Sequence, residues 1–352
     1  MQGTTVQFDN VSKWFGNTAA LENFSLSVAP GEFVTLLGAS GSGKSTALNI
    51  LAGFSDATSG DVLIGDRSLT GVPSEDRNVG MVFQNFALFP HMSVFDNIAF
   101  PLKMRKTSAG EIRKLVMDAL DMVHLDGLAD RRPAALSGGQ RQRVALARAV
   151  VFSPPVLLMD ECLSALDLKL REELQGEIRR IHKDIGATTV FVTHDQGEAL
   201  TMSDRVAVLK GGRIEQIDVP EMLYDRPATR YVADFIGQTN LMDVTTVNGG
   251  VQIAGIGATL PSEKPNSVAV SLRPERIARA DALAGQVDII EFKARLQDTV
   301  FLGATIEHHF RLGNGDALTV REGRSGAANP LEASAEIALA FRIQDAVVLA
   351  DT

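Results

Sequence analysis

The sequence predicts an α/β domain over residues 1–235 and a second, all-β domain over residues 236–352. Two observations support this division. In the first part, short apolar runs alternate with amphipathic segments, as in a sheet covered by helices. In the second part, short runs of alternating polarity are separated by turn signals, Asn248-Gly249 and Asn314-Gly315, which is typical of a small barrel or sandwich.

The bulk composition excludes several classes of protein. The 352 residues are 45% hydrophobic and 22% charged, which suits two globular domains. The formal net charge of -9 disfavours nucleic acid as a partner. The single cysteine, Cys162, allows no internal disulfide and fits a reducing compartment. We find neither a secretory signal nor a run of ~20 apolar residues, so a membrane role is expected to come through partners.

Three buried strands and one helix stand out in the first domain. The strands are apolar runs at residues 33–37, 156–159 and 189–192, each leading toward a polar loop. Ligands of open α/β sheets bind beyond the carboxyl ends of such strands. A helix is predicted after Ser108, with apolar residues at i, i+3, i+4 and i+7 from Ile112 onward.

A phosphate-binding loop follows the first of these strands. The motif G-x-x-x-x-G-K-[ST] is matched by Gly38-Ala39-Ser40-Gly41-Ser42-Gly43-Lys44-Ser45, and a helical run from Thr46 to Ala52 follows it. Glycines let backbone N–H groups approach phosphate oxygens, and the helix N-terminus favours anions. Lys44 can reach the β- and γ-phosphates, and the Ser45 hydroxyl can ligate Mg²⁺. We expect the nucleotide to contact Gly38, Ser40, Gly41, Ser42, Gly43, Lys44, Ser45 and Thr46.

Two adjacent acids end the strand at residues 156–159. Neighbouring residues of a strand point to opposite faces, so Asp160 and Glu161 should take different roles. Asp160 is the expected Mg²⁺ partner, and Glu161 is the expected general base for the attacking water. The alternative is a solvated acidic turn, which the nearby phosphate loop disfavours.

The segment Leu136-Ser137-Gly138-Gly139-Gln140 resembles the LSGGQ signature of the ABC ATPase family. Ser137 and the two glycines open a helix, and this makes a second anion-binding terminus. One nucleotide does not need two such termini from one fold. The resemblance implies a head-to-tail homodimer, in which Ser137, Gly138, Gly139 and Gln140 of one subunit close over ATP held by the other.

The rest of the ABC pattern follows in order. Phe15 resembles the aromatic residue that stacks on adenine, with a core aromatic as the alternative. Gln84 resembles the Q-loop glutamine, which senses Mg²⁺ and the γ-phosphate. His194 resembles the switch histidine, whose imidazole would hydrogen-bond the γ-phosphate. Residues 164–167 resemble the D-loop at the dimer interface. The resemblance thus implies that Lys44, Gln84, Glu161 and His194 act in catalysis, and that Ser45, Gln84 and Asp160 hold the metal.

One residue departs from the family pattern. The catalytic glutamate is usually followed by proline, and here Cys162 takes that place. Proline would stiffen the turn, so cysteine leaves the loop geometry open. We expect a small buried residue, with a thiol close to the nucleotide as the alternative.

The family resemblance extends to a branch and to partners. Residues 76–94 resemble the ATPases of import systems, in which the segment after Gln84 contacts the coupling helix of a transmembrane subunit. Leu272-Arg273-Pro274-Glu275 resembles part of a TOBE domain, which implies an OB-like all-β fold. In this family the TOBE domain helps to regulate the protein or to dimerise it; a purely structural role is the alternative. The implied protein lies peripherally at the cytoplasmic face of the inner membrane. Its implied partners are two transmembrane permease subunits and, indirectly, a solute-binding protein.

Several functions remain open at this point. A polyamine such as spermidine or putrescine is the favoured solute, with ferric iron, an organophosphonate or another solute as alternatives. A soluble ABC ATPase without a transport role is disfavoured, because the chain has a single cassette and an acidic balance. The TOBE-like tail argues against an exporter.

Overall fold

The computed structural model describes residues 3–164, 166–262, 264, 266–324 and 334–350. They form two compact units, the first ending at Pro220 and the second beginning at Glu221. The functional boundary between residues 235 and 236 stays a prediction. None of the helices within the described ranges is long and apolar enough to cross a bilayer.

Strands and helices alternate in the first unit. Its described strands are β1 Val6–Phe15, β2 Thr18–Val28, β3 Phe33–Gly38, β4 Ser59–Ile64, β5 Arg67–Ser68, β6 Val79–Val82, β7 Val156–Asp160, β8 Thr188–Thr193, β9 Arg205–Lys210 and β10 Arg213–Asp218. Its described helices are α1 Lys44–Ala52, α2 Val94–Met104, α3 Ala109–Met122, α4 Gly138–Val150, α5 Leu168–Ile185 and α6 Gln196–Met202. The three predicted strands and the helix after Ser108 are confirmed. The helix after the phosphate loop begins at Lys44, earlier than the predicted Thr46.

The central sheet has the strand order β10-β9-β3-β8-β7-β6. The strands from β9 to β6 run parallel, and β10 pairs antiparallel with β9. The carboxyl ends of parallel strands lie along one edge of a sheet. On this edge β3 leads into the phosphate loop, β6 leads toward Gln84, and β7 and β8 end directly before Glu161 and His194. The sheet therefore brings four separate motifs together.

Both faces of the central sheet are buried. Along β8, Val190 and Val192 join a core that also contains α1, whereas Phe191 joins a second core shared with helices α2 to α5. Strands β3 and β7 alternate in the same way. Burial on both faces explains why these strands are continuous apolar runs. Each large apolar side chain buried here contributes about 1.5–3 kcal/mol.

A second, antiparallel sheet of the order β2-β1-β4-β5 covers the α1 side of the first core. The hairpin of β1 and β2 turns at Gly16, which has a positive φ of 59°. Phe15 pairs with Thr18 at this turn. The hairpin thereby holds Phe15 at its tip.

The second unit is dominated by β-strands. Its described strands are β11 Asn240–Val247, β12 Gly250–Ile253, β13 Thr259–Pro261, β14 Ser267–Leu272, β15 Ala278–Arg279, β16 Ile289–Phe301, β17 Thr305–Arg311, β18 Ala317–Gly323, β19 Glu336–Arg342 and β20 Ala346–Ala350, and the short helices α7 Pro220–Asp225 and α8 Arg230–Phe235 precede them. They form two antiparallel sheets, β13-β12-β11-β14-β20 and β15-β19-β16-β17-β18, around one core. Asn248-Gly249 joins β11 to β12 in a two-residue turn, as predicted. Asn314-Gly315 lies between β17 and β18, also as predicted.

A buried arginine holds the start of the second unit. Arg273 is 4% exposed. Its guanidinium donates to the carbonyl of Tyr224 at 2.8 and 3.2 Å, to that of Ala233 at 3.1 Å and to that of Gln238 at 3.2 Å. It also lies 4.2 Å from the centroid of the Tyr224 ring. Burial lowers the pKa of Arg273, and Tyr224 and Glu275 oppose that shift. The LRPE segment therefore anchors three carbonyls of the preceding helical region.

We expect Arg273→Ala to lower the free energy of unfolding of the second unit by about 2–4 kcal/mol, because it leaves buried carbonyls without a donor. Arg276→Ala is the control and should cost less than about 1 kcal/mol, because the Arg276 side chain is 43% exposed and its ion pairs are screened by water. Both tyrosines of the chain, Tyr224 and Tyr231, lie in this unit. Guanidinium unfolding followed by tyrosine near-UV circular dichroism therefore measures it. Equal midpoints for the two variants would contradict the anchoring role.

Candidate nucleotide site

The phosphate loop is shaped by glycines that cannot be replaced without a clash. Gly43, the residue before α1, has a φ of 102°, and a Cβ there would lie 2.6 Å from the carbonyl oxygen of Ala20. A Cβ on Gly38 would lie 2.5 Å from Ser42 Oγ and 2.6 Å from the carbonyl oxygen of Leu209. The loop backbone is thus packed directly against β2 and β9, and its amides keep a fixed geometry.

Lys44 lies in the first turn of α1 and is 5% exposed. Its Nζ donates to the carbonyls of Gly38 at 2.8 Å and Ala39 at 2.9 Å. Burial lowers the pKa of Lys44, and the carboxylates of Glu161 and Asp160 oppose that shift. The ammonium therefore lies inside the loop and in the field of both acids.

The loop is also joined to the hairpin that carries Phe15. The N–H of Gly212 donates to the carbonyl of Ser42 at 3.0 Å, and that of Glu22 on β2 donates to the carbonyl of Gly212 at 3.1 Å. Phe15 is 58% exposed, and Lys13 Nζ lies 5.1 Å from its ring centroid. Its open face suits a stacking platform better than a core position. The adenine contact itself stays a prediction.

The two acids after β7 do not alternate along one strand. β7 ends at Asp160, and Glu161 has a left-handed φ of 37°, which is unusual for a residue with a Cβ. The predicted placement on opposite faces of a strand is therefore wrong for Glu161. The turn is held by the N–H of Glu161, which donates to the carbonyl of Val192 at 2.9 Å. Strain of this kind is concentrated at functional sites.

Glu161 is the point where three loops meet. Gln84 Nε2 donates to Glu161 Oε2 at 3.2 Å, and His194 Nδ1 lies 3.2 Å from Glu161 Oε1. Gln84 follows β6 and His194 follows β8, so each carboxylate oxygen has a partner from a different strand end. The structure thus brings together Glu161, Gln84 and His194, and it places Lys44 near them.

Mg²⁺ needs few protein ligands when phosphates share its coordination sphere. Ser45 offers a hydroxyl in the first turn of α1, and Asp160 offers a half-buried carboxylate at the end of β7. Burial and the neighbouring Glu161 raise the pKa of Asp160, and Lys44 opposes that shift. Within the described part of the chain, no cluster of three or more His, Cys, Asp or Glu could hold a metal by itself. Hard oxygen donors of this kind fit a phosphate-bound Mg²⁺.

The signature segment forms the N-terminus of α4. Ser137 is its N-cap: Ser137 Oγ accepts from the Gln140 N–H at 3.3 Å, and the Ser137 N–H donates to Gln140 Oε1 at 3.0 Å. A Cβ on Gly139 would lie 2.9 Å from Leu170 Cδ1 of α5. Among the described residues, no hydrogen bond joins this terminus to the phosphate loop of the same chain. The binding of nucleotide at the two helix termini, by two different copies, stays a prediction.

The segment after Gln84 is held by an arginine that sequence reasoning missed. Arg148, near the end of α4, donates to the carbonyls of Phe86 at 2.9 Å and Ala87 at 2.8 Å. Both residues have left-handed φ values, 59° for Phe86 and 46° for Ala87. Of the apolar residues that follow Gln84, Val94 is fully buried, whereas Phe86, Leu88 and Phe95 are partly buried against the core. Arg148 had no distinguishing signal, since it lies among other arginines on a helix.

Other residues beside the site were also missed. Asp195 is the N-cap of α6, and Arg171 of α5 forms an ion pair with it. Asp195 and Glu198 have capping-box spacing, and that signal could have located the start of this helix. In the segment predicted to resemble the D-loop, Ala165 lies outside the described residues. Ser164 Oγ donates to the carbonyl of Glu161 at 2.8 Å.

Comparison with known proteins identifies the families to which this chain is similar. The ABC transporter family matches residues 21–164, and the TOBE domain family matches residues 270–349. The spermidine/putrescine import ATP-binding protein PotA 2 of Pseudomonas aeruginosa is 46% identical over 323 residues, 89% of each chain. PotA of Oleidesulfovibrio alaskensis is 50% identical over 312 residues, 86% of this chain and 83% of its own.

A solved structure matches the first part of the chain. It is a dimeric, post-hydrolysis state of the ATP-binding cassette MJ0796 bound to ADP and Pi. The TM-score is 0.55 at 35% sequence identity, over 61% of this chain and 98% of that chain.

Cys162 allows a test of the turn that follows the acids. It is fully buried, and burial raises the pKa of its thiol far above the ordinary value. We expect the folded protein to resist thiol-specific reagents up to about pH 9, because only the thiolate reacts. The unfolded chain, measured in guanidinium at the same pH, is the control and should react fully. Rapid labelling of the folded protein would instead place an exposed thiol beside the nucleotide.

Proposed function

The chain belongs to the ABC transporter ATP-binding subunits with a C-terminal TOBE domain, and on this premise we propose that two copies hydrolyse Mg-ATP between them to drive uptake of a polyamine such as spermidine or putrescine. ATP binding, ATP hydrolysis and import are properties of this family of subunits. The residue roles, the metal and the solute are our proposal.

The observation that carries the proposal is the placement of Glu161. Its carboxylate is oriented by Gln84 on one oxygen and by His194 on the other, each at 3.2 Å. A base held in this way accepts a proton without first reorganising. The loops that position it follow strands on both sides of β7, so ligand binding at any one of them acts on Glu161.

In the proposed reaction, the oxygen of a water molecule attacks the γ-phosphorus of ATP. Glu161 accepts a proton from that water, the bond from the γ-phosphorus to the β–γ bridging oxygen breaks, and ADP and phosphate leave. His194 holds the γ-phosphate and the Glu161 carboxylate in one orientation. Lys44 stabilises the charge that develops on the phosphate oxygens.

The nucleotide would be bound by the backbone N–H groups of residues 38–46 and by Lys44, with Phe15 stacked on adenine. Ser45, Asp160 and Gln84 would hold Mg²⁺. When bound, the ion would neutralise the negative charge of the phosphates. When ATP binds, its phosphate oxygens would replace the carbonyls of Gly38 and Ala39 as hydrogen-bond acceptors for Lys44. The ammonium would therefore keep its hydrogen bonds in the bound state.

The second copy completes the site. The capped N-terminus formed by Ser137, Gly138, Gly139 and Gln140 has no hydrogen bond to its own phosphate loop among the described residues, and it would bind the γ-phosphate held by the partner. The dimeric state of the cassette cited above supports the pairing of two copies. Membrane permease subunits are partners of this family in general. We propose that the segment beginning at Phe86 contacts them and that the protein lies at the inner face of the membrane.

We expect Glu161→Gln to lower kcat for ATP by roughly 10²- to 10⁴-fold while ATP binding is retained, because it removes the proton acceptor and keeps the shape. Single-turnover hydrolysis and equilibrium ATP binding measure the two effects. Glu32→Gln is the matched control: Glu32 also pairs with a cation, Arg205 at 3.1 Å, but precedes β3 at the opposite edge of the sheet. Wild-type turnover in Glu161→Gln would remove Glu161 from the role of base.

The polyamine assignment is tested by reconstitution of the chain with candidate permease subunits and a candidate solute-binding protein. We expect spermidine or putrescine, with the binding protein, to raise ATP hydrolysis by about 10-fold or more, as a coupling free energy of about 1.4 kcal/mol implies. Ferric iron and an organophosphonate are the comparison solutes. Stimulation by one of these alone would overturn the polyamine assignment and leave the importer function intact.

A further inference from the structure

Arg171 contacts two loops of the catalytic edge at once. It lies in the first turn of α5, and 23% of its side chain is exposed. Nη1 donates to Asp195 Oδ2 at 3.0 Å, and Nη2 donates to the carbonyl oxygen of Leu166 at 3.0 Å. Asp195 follows His194 directly, and Leu166 belongs to the loop that follows Glu161. The planar guanidinium is suited to holding two acceptors in a fixed geometry.

Thr193 and Glu198 also hold the loop that carries His194. Glu198 is 1% exposed, and its Oε2 accepts from Thr193 Oγ1 at 2.5 Å, whereas its Oε1 lies 3.8 Å from Arg171 Nε. Thr193 Oγ1 also accepts from the Asp195 N–H at 3.0 Å. Burial raises the pKa of Glu198, and Arg171 opposes that shift. The residues on both sides of His194 are therefore joined in one hydrogen-bonded group.

The loop of Glu161 reaches Arg171 through its own hydrogen bonds. The carbonyl of Glu161 accepts from the N–H of Ser164 at 3.2 Å and from its Oγ at 2.8 Å. The N–H of Leu166 donates to the carbonyl of Leu163 at 3.2 Å. These bonds link Glu161 to Leu166, whose carbonyl Arg171 holds. A closed ring of contacts thus runs from Glu161 through Leu166, Arg171 and Asp195 to His194, and back to Glu161.

We propose that Arg171 is a positioning residue for ATP hydrolysis, which makes the placement of His194 against Glu161 depend on the conformation of the loop that follows Glu161. This inference rests on the proposed roles of Glu161 and His194. Asp195 connects Arg171 to the start of α6, directly after His194. Its Oδ1 caps α6 by accepting from the Glu198 N–H at 3.0 Å, and its Oδ2 binds Arg171. A shift of Arg171 therefore moves the N-cap, and the adjacent His194 moves with it.

The alternative is that Arg171 only fastens α5 to α6. A matched control separates the two roles, because Arg179 on the same helix donates to the carbonyl of Thr201 at the end of α6 at 2.7 Å. Arg179→Ala removes an arginine that bridges the same two helices, far along α5 from Asp195. Both variants should lose similar stability, which thermal unfolding measures.

The experiment compares the ATPase activity of the full-length chain in five forms: wild type, Arg171→Ala, Asp195→Asn, the double variant and Arg179→Ala. Asp195→Asn keeps an oxygen for the helix cap and weakens the bond to Arg171. We expect Arg171→Ala to lower kcat by about 10- to 100-fold with the KM for ATP within about threefold, because misplacement of a catalytic group acts on the chemical step. Arg179→Ala should keep the wild-type kcat.

The double variant should be no slower than the slower single variant, because both substitutions break the same link. Additive losses, or a wild-type kcat in Arg171→Ala, would overturn the inference. Arg171→Lys replaces Arg171→Ala if the latter does not fold, since lysine keeps the charge but cannot hold both acceptors, and it should lower kcat in the same way. His194→Ala distinguishes the two levels: a wild-type kcat there removes the proposed role of His194 itself, whereas a large loss there with none in Arg171→Ala removes only the inference.

Discussion

The parallel pairing of β3, β8, β7 and β6 is the constraint on which the site depends. Parallel strands align their carboxyl ends, so residues far apart in the sequence leave the sheet at one edge. Gln84, Glu161 and His194 meet there, although 77 residues separate Gln84 from Glu161. Such a sheet must be buried on both faces. The two cores that cover it therefore hold the geometry of the proposed site as well as the fold.

The loops at this edge adopt backbone conformations that an isolated peptide would rarely populate. Gly43 has a left-handed φ that costs glycine nothing, whereas Glu161 adopts one despite its side chain. The hydrogen bond of the Glu161 N–H to Val192 on β8 stabilises that strained turn. Strain at Glu161 and fixed backbone at Gly43 have one effect: charged groups are placed before substrate arrives, so little reorganisation is needed when charge develops.

Local pattern was enough to predict the strands, the glycine-rich loop before α1 and the position of the two acids, Asp160 and Glu161, at the end of β7. β7 and β8 are apolar runs because both of their faces are buried, and Gly43 and Lys44 occur in a motif whose spacing reflects phosphate geometry. The left-handed turn at Glu161 was not predictable, because it depends on a hydrogen bond to another strand. Arg148 and Arg171 were missed for the same reason. Their partners are carbonyls distant in sequence, and one more arginine on a polar helix carries no pattern.

The first turn of α5 contacts both the signature segment and the loops of Glu161 and His194. Leu170 on this turn lies in the space that a Cβ on Gly139 of the signature would occupy, so the signature terminus rests directly on it. The next residue, Arg171, binds the loops of Glu161 and His194. Packed cores move as rigid pieces instead of deforming continuously. If the signature terminus shifts, its contact with Leu170 carries the shift to α5, and Arg171 carries it to the loops of Glu161 and His194.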